Sequence, residues 1–143
     1  MSPKDYLFTF NPNNKGLRKI LGDLEADVME TVWAKGEVTV RDVYDILKEQ
    51  RSLAYTTVMT VMSRLAEKGL LKKIKAGAAF LYQASASRED FTQSTVKKVI
   101  TELLEDFAAP TISQFVETLG DEQPEKIEEL ARLVEEKRKK RDV

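Results

Sequence analysis

One predicted helix carries a row of short polar side chains that could contact the base edges in a DNA groove. At about 100° per residue they lie opposite an apolar stripe or flank that position. They are Thr56, Thr57, Thr60 and Ser63, with Met59 and Arg64 beside them. Hydroxyls hydrogen-bond to bases or phosphates, methyl groups contact thymine, and arginine binds guanine or phosphate. Lys, Glu and Gln are better helix formers than Thr, so these residue types favour a DNA-binding face over a merely solvated one.

A basic segment surrounds this face, although the net charge of the chain is −1. Residues 51–75 have six basic side chains and one acidic side chain, whereas residues 1–50 have a net charge of −2 and residues 76–143 a net charge of −4. Such a segment is a candidate contact for phosphates. It includes Lys72, Lys73 and Lys75, which could contact the DNA backbone beside the groove. The alternative is a solvated surface in which Arg64 forms an ordinary ion pair.

The residue types that are missing exclude most catalytic and metal chemistry. The 143 residues include no His and no Cys, so disulfides, thiolate or imidazole metal ligands and His- or Cys-dependent catalysis are ruled out. We predict no enzymatic activity, no cofactor and no metal site. No apolar stretch approaches the ~18 residues that span a bilayer, and no signal peptide is recognisable. We therefore expect a cytoplasmic protein without membrane insertion.

Three predicted helices and a hairpin follow one another in the sequence and would position the polar face. Helical periodicity begins near Asp23, the predicted N-cap, and ends at Gly36; Thr39 and Asp42 predict a capping box for a second helix. A third helix covers residues 55–68. Two short strands, 70–75 and 80–83, then predict a hairpin with its turn at Gly77. Two helices joined by a short turn and followed by a basic hairpin are typical of a winged helix-turn-helix.

The chain after residue 86 is predicted to be entirely helical. Apolar residues recur at helical spacing in three segments that begin at Ser87, Pro110 and Pro124, the second ending at Gly120. A module of fewer than about 60 residues has difficulty covering so much apolar surface alone. A second copy of the chain would cover it. The residues predicted to form this homodimer contact are Val99, Leu103, Ile112, Phe115, Val116, Leu119, Ile127 and Leu130.

The predicted fold class is mainly α with a small β-hairpin. Residues 1–19 are predicted to form an irregular N-terminal arm, residues 20–86 a winged-helix DNA-binding domain, and residues 87–143 a helical dimerisation domain. A dimer presents its two recognition helices about one helical turn of DNA apart, or a multiple of it. The expected partner is therefore double-stranded DNA with a palindromic operator.

The sequence also resembles the penicillinase-repressor (BlaI/MecI) family, from about residue 20 to the C-terminus. The resemblance is carried by residues 21–25 (LGDLE), 54–65 (AYTTVMTVMSRL) and 80–84 (FLYQA). It implies a dimeric winged-helix repressor of an inverted-repeat operator, released when a membrane-bound metalloprotease sensor cleaves its C-terminal region. The family's scissile bond precedes a Phe, and the nearest match is Asp106–Phe107. The copper-sensing branch carries C-terminal cysteines, which this chain lacks, so copper sensing is not expected.

Two other classes of function stay open at this point. A winged-helix protein–protein adaptor would use the same surface on an acidic partner. A ligand-gated winged-helix repressor would hold a small molecule between its C-terminal helices. Salt-dependent DNA binding separates a repressor from an adaptor, and a small molecule that weakens DNA binding would favour the ligand-gated class.

Overall fold

The computed structural model describes residues 10, 12 and 14–141 of the chain. Within these residues the chain forms five α-helices and one β-hairpin, which confirms the predicted fold class. The elements are α1 (Asp23–Lys35), α2 (Val40–Leu47), α3 (Tyr55–Glu67), β1 (Leu71–Ala76), β2 (Ala79–Ala84), α4 (Arg88–Glu122) and α5 (Ile127–Arg141). Two 3-10 turns, Gly16–Lys19 and Pro124–Lys126, precede α1 and α5. Most of the predicted arm 1–19 lies outside the described residues.

α1 and α2 begin with different N-terminal caps. Gly22, and not Asp23, is the N-cap of α1, and its N–H donates to Glu25 Oε1 at 3.1 Å. The Asp23 carboxylate instead accepts from Arg18 Nε at 2.9 Å, outside the helix. The capping box of α2 is confirmed. Thr39 Oγ1 accepts from the Asp42 N–H at 3.1 Å, and Asp42 Oδ2 accepts from the Thr39 N–H at 2.9 Å.

The described residues up to Lys97 form one compact unit. Its core lies between α1, α2, α3, the hairpin and the first turns of α4. The buried apolar side chains are Leu21, Ala26, Val28, Met29, Val32, Val38, Val43, Leu47, Val58, Met62, Leu65, Leu70, Leu71, Tyr82 and Phe91. Trp33 Nε1 donates to the Ala86 carbonyl at 3.0 Å, and the Trp33 ring centroid lies 5.8 Å from that of Phe91. These interactions hold the start of α4 against α1.

The hairpin is antiparallel and regular, with pairs from Leu71–Ala84 to Ala76–Ala79. Gly77 has φ of +64°, a backbone conformation that glycine adopts readily, and lies in the turn as predicted. Val38 adds a single bridge to β2 through two hydrogen bonds with Tyr82, of 3.0 and 2.7 Å. The bridge ties the segment between α1 and α2 to the base of the hairpin.

The second compact unit begins at Lys98. α4 is broken at Phe107, where φ is −137° and ψ is 49°, and then continues to Glu122. The break lies three residues before Pro110, which places the proline in the first turn of the helix that follows. Backbone N–H groups in a first turn have no intrahelical acceptor, so proline loses no hydrogen bond there. The predicted helix end at Gly120 is wrong. The Gln123 N–H still bonds to the Leu119 carbonyl at 2.8 Å, so helical bonding passes through the glycine.

None of the described side chains in residues 98–141 is buried. The apolar residues of this unit are exposed or half-buried, in contrast with the closed core of the first unit. The predicted boundary between residues 86 and 87 stays a prediction. The backbone contacts divide the chain between Lys97 and Lys98.

Candidate nucleic-acid interface

α3 presents the predicted polar face outwards because its other face packs into the core. Val58, Met62 and Leu65 are buried, and the positions opposite them on the helix point to solvent. Ser63 is half-buried. The exposed members of the predicted face are Thr56, Thr57, Met59, Thr60 and Arg64.

One hydroxyl on this face already has a hydrogen-bond acceptor. Thr60 Oγ1 donates to the Thr56 carbonyl one turn earlier, at 2.9 Å. Its oxygen keeps lone pairs for a donor, and its methyl group is free for apolar contact. Met59 is also apolar and 42% exposed. The face therefore combines hydrogen-bonding groups with methyl groups that could contact thymine.

Two of the six cations in residues 51–75 are engaged by acidic residues of α1. Arg51 pairs with Asp27, and Lys68 Nζ lies 2.7 Å from Glu25 Oε2. Burial of the Glu25 carboxylate raises its pKa. The hydrogen bonds from Lys68 and from the Gly22 N–H, together with the positive charges of Lys68 and Arg64, outweigh burial, so its pKa lies below the usual value. Arg51 and Lys68 consequently join α1 to the rest of the first unit.

The four other cations of the segment are exposed: Arg64 on α3, and Lys72, Lys73 and Lys75 on β1. Within the described chain none of them forms an ion pair. Side chains alternate between the two faces of a strand, so Lys73 and Lys75 share a face, whereas Lys72 lies on the other. Lys73 Nζ lies 4.2 Å from the centroid of the Phe80 ring. The structure therefore divides the predicted hairpin contact between two faces.

The predicted dimer residues lie on α4 and α5 and remain accessible. Leu103 is 42%, Ile112 60%, Phe115 55% and Val116 47% exposed. The other four are half-buried: Val99, Leu119, Ile127 and Leu130. Leu103, Phe115 and Leu119 also line an open, mostly apolar groove of about 490 Å³ within the second unit.

The predicted cleavage bond coincides with the irregularity in α4. Phe107 has non-helical backbone angles and is 59% exposed, and Asp106 beside it is exposed as well. A regular helix must unwind locally before a protease can bind one of its peptide bonds in an extended form, whereas here the backbone angles of Phe107 already depart from those of a helix.

Other kinds of site receive no support from the described residues. Those residues hold no group of three or more acidic side chains that could bind a metal ion. No helix among them is long and apolar enough to span a membrane.

Arg41 on α2 is an exposed cation outside the predicted interface, and it lies against Tyr55, the first residue of α3.

The penicillinase repressor family model matches residues 21–136. The transcriptional regulator BlaI of Mycobacterium tuberculosis is 38% identical over 103 residues, which are 70% of this chain and 74% of the relative. The methicillin resistance regulatory protein MecI of Mammaliicoccus sciuri is 25% identical over 117 residues, 82% of this chain and 94% of the relative. The solution structure of monomeric Bacillus licheniformis BlaI with the blaP half-operator is 27% identical, covers 49% of this chain and 85% of that one, and has a TM-score of 0.44.

Proposed function

The chain belongs to the penicillinase repressor family of transcriptional regulators, and from this premise we propose that it represses transcription as a homodimer bound to an inverted-repeat operator. α3 would enter the major groove, and the hairpin would contact the backbone beside it. The role is regulatory rather than enzymatic, and the protein would act in the cytoplasm, where its DNA lies.

The outward face of α3 is the observation that carries this proposal. Except for Met59, its side chains are short or cationic. No folded element of the first unit covers it, and the exposed cations of β1 follow it in the chain. Arg64 is suited to a guanine or a phosphate, and the hydroxyls of Thr56 and Thr57 to either. Met59 and the methyl group of Thr60 are suited to a thymine methyl group.

The exposure of the second unit supports the homodimer. A set of apolar side chains that a single chain leaves uncovered is the usual sign of an interface. A symmetric dimer would bury the same residues on both protomers. It would also connect two DNA-binding units, so that the second half-site binds at a high effective concentration.

Release would occur by proteolysis at Asp106–Phe107, and the partner would be a membrane metalloprotease sensor. The break at Phe107 and the exposure of its side chain support this bond. Cleavage would detach residues 107–143, which hold six of the eight predicted dimer residues. Operator affinity would fall because binding is no longer bivalent, while α3 itself stays intact.

Selection from a random DNA library with the full-length protein tests the DNA-binding proposal. The enriched sequences should be inverted repeats, with half-sites centred about 10 base pairs apart or a multiple of that. Enrichment of a single unrepeated site would contradict the dimeric arrangement. Absence of DNA binding at low salt, together with binding to an acidic protein, would favour the adaptor.

Mass spectrometry of the protein from cells in which repression is lifted tests the release proposal. A fragment ending at Asp106 is expected. An intact chain under those conditions would contradict cleavage, and a small molecule that dissociates the DNA complex in vitro would favour the ligand-gated class.

A further inference from the structure

Arg41, the second residue of α2, lies against two tyrosine rings. Its Cζ atom is 4.8 Å from the ring centroid of Tyr55 and 5.7 Å from that of Tyr44. The two rings meet edge to face, with centroids 5.6 Å apart and an interplanar angle of 77°. Lys48 Nζ lies 5.5 Å from the Tyr44 centroid. We refer to these four residues as the α2 cluster.

The α2 cluster joins α2 to the beginning of α3, with Arg41 and Lys48 exposed and Tyr44 half-buried against the core. Arg41, Tyr44 and the C-cap residue Lys48, which keeps helical backbone angles, are spaced three and four apart and therefore lie along one side of the helix. Val43 and Leu47 are buried. Tyr55 is the first residue of α3. In a helix-turn-helix the second helix enters the major groove with its N-terminal end near the bases, while the first crosses the sugar-phosphate backbone. If α3 enters the groove in this way, the cluster lies beside a backbone phosphate.

Its cations are available for such a contact. Arg41 is exposed, and within the described residues it forms no ion pair. Lys48 lies 3.2 Å from Asp45, but both side chains are nearly half exposed, and such a surface pair contributes little and exchanges readily.

Aromatic contact also prepares Arg41 for a phosphate. A guanidinium can stack on a ring and still direct its N–H edge at two phosphate oxygens. Two rings beside one guanidinium restrict its rotamers before DNA arrives, so the side chain has less entropy to lose on binding. A free, flexible cation lacks this advantage.

We propose that Arg41, positioned by Tyr44 and Tyr55, binds a backbone phosphate beside the groove that α3 enters, and that Lys48 provides a second, weaker contact. The proposal rests on the proposed function, because it requires α3 to lie in a DNA groove. The DNA interface then extends beyond residues 51–75, the basic segment that the sequence alone predicts as the phosphate contact. The interaction is with the backbone, so it should act on DNA of any sequence.

Fluorescence-anisotropy titration of a random-sequence duplex of about 24 base pairs, at several salt concentrations, tests the phosphate contact. For full-length Arg41→Ala we expect about tenfold weaker binding. The slope of log K against log salt should become shallower by about 0.9 for each phosphate that the variant no longer neutralises. Lys48→Ala should change both quantities in the same direction by less.

Lys35→Ala is the matched control for the loss of one positive charge. Lys35 is the exposed last residue of α1, and it lines a shallow groove with Ile46 and Leu47, at the opposite end of α2 from Arg41. This variant should keep the wild-type slope. Equal slope changes in Lys35→Ala and Arg41→Ala would overturn the proposal, because they would indicate only a general effect of net charge.

Two further variants separate positioning from charge. Tyr44→Leu removes a ring without altering charge, and it should weaken binding about threefold while the slope stays close to wild type. Arg41→Lys should likewise keep most of the slope but bind more weakly, since lysine lacks the planar pair of donors. Thermal unfolding of each variant reports on folding. A lower Tm in Arg41→Ala with unchanged DNA affinity would overturn the proposal in favour of a packing role.

The same titrations distinguish the two levels of failure. If the wild-type chain binds no duplex even at low salt, the proposed function fails and this inference fails with it. If the wild type and Lys35→Ala bind with a steep salt dependence and Arg41→Ala matches them, only this inference is wrong.

Discussion

Replacement of Phe115 by alanine should weaken the proposed dimer strongly and leave the first unit unchanged. The side chain is 55% exposed on α4, in a unit whose described side chains are all at least partly accessible. A phenylalanine buries on the order of 200 Å², so about 110 Å² is available to a partner. At ~25 cal/mol/Å², covering this area stabilises the dimer by about 2.7 kcal/mol per protomer.

A symmetric dimer contains the residue twice, so the loss reaches about 5.5 kcal/mol, an upper limit that assumes complete burial. Since about 1.4 kcal/mol is a tenfold change, the dissociation constant of the dimer should rise by up to about 10⁴-fold. The free energy of unfolding of the winged-helix unit should not change, because Phe115 contributes nothing to its core.

Analytical ultracentrifugation over a concentration series measures this effect. The wild type should be dimeric at micromolar concentration, and Phe115→Ala should be largely monomeric there. Phe80→Ala is the matched control, because Phe80 is 45% exposed but lies on the hairpin of the first unit. A wild-type dissociation constant in Phe115→Ala, or equal weakening by Phe80→Ala, would refute the assignment of the interface to α4.

Three other predictions concern the first unit. Arg64→Ala should cost about 1–3 kcal/mol on the selected operator and less on random duplex, measured by competition titration; equal losses on both would reassign Arg64 to a phosphate. The pKa of Glu25 is lower in the folded chain than in the unfolded chain, where it is near 4.5. The ionised carboxylate therefore stabilises the fold at a pH above 4.5, and this stabilisation is lost as the pH falls through the folded pKa. Glu25→Gln should therefore flatten the acid limb of the free energy of unfolding, followed by urea denaturation between about pH 5 and pH 3, and an unaltered limb would contradict the ion pair with Lys68. Thr39→Ala should lower the free energy of unfolding by about 1 kcal/mol because it removes the capping box, and unchanged thermal unfolding would show that Asp42 alone fixes the start of α2.

Features with a local cause were predictable from the sequence. The core stripe of α3 follows from helical periodicity, the capping box of α2 from two residues three positions apart, and the hairpin turn from Gly77. The errors are local as well. The sequence predicts Asp23 as the cap of α1, but Arg18 engages the Asp23 carboxylate, and Glu25 accepts from the Gly22 N–H instead. Gly120 predicts a helix end, yet α4 continues to Glu122, because glycine lowers the stability of a helix without preventing it.

The break in α4 shows how far such local signals extend. Pro110 correctly indicates an irregularity in this region, and it could not give the residue, because proline fits anywhere in the first turn of a helix. The irregular backbone angles fall on Phe107. The apolar residues around Phe107 recur at helical spacing, which favours burial of one face. The spacing does not identify the surface that buries this face.

The sequence by itself determined that a basic segment covers α3 and β1, and that no His or Cys chemistry is available. Only the tertiary structure decided which of the cations are paired. Arg51 and Lys68 are engaged by acidic residues 24 and 43 positions away. It also brought Arg41 against Tyr55, at the start of α3. Helical and strand periods describe neighbours within one element, whereas ion pairs and contacts between a cation and a ring depend on how the elements pack, so a count of charges along the chain cannot reveal them.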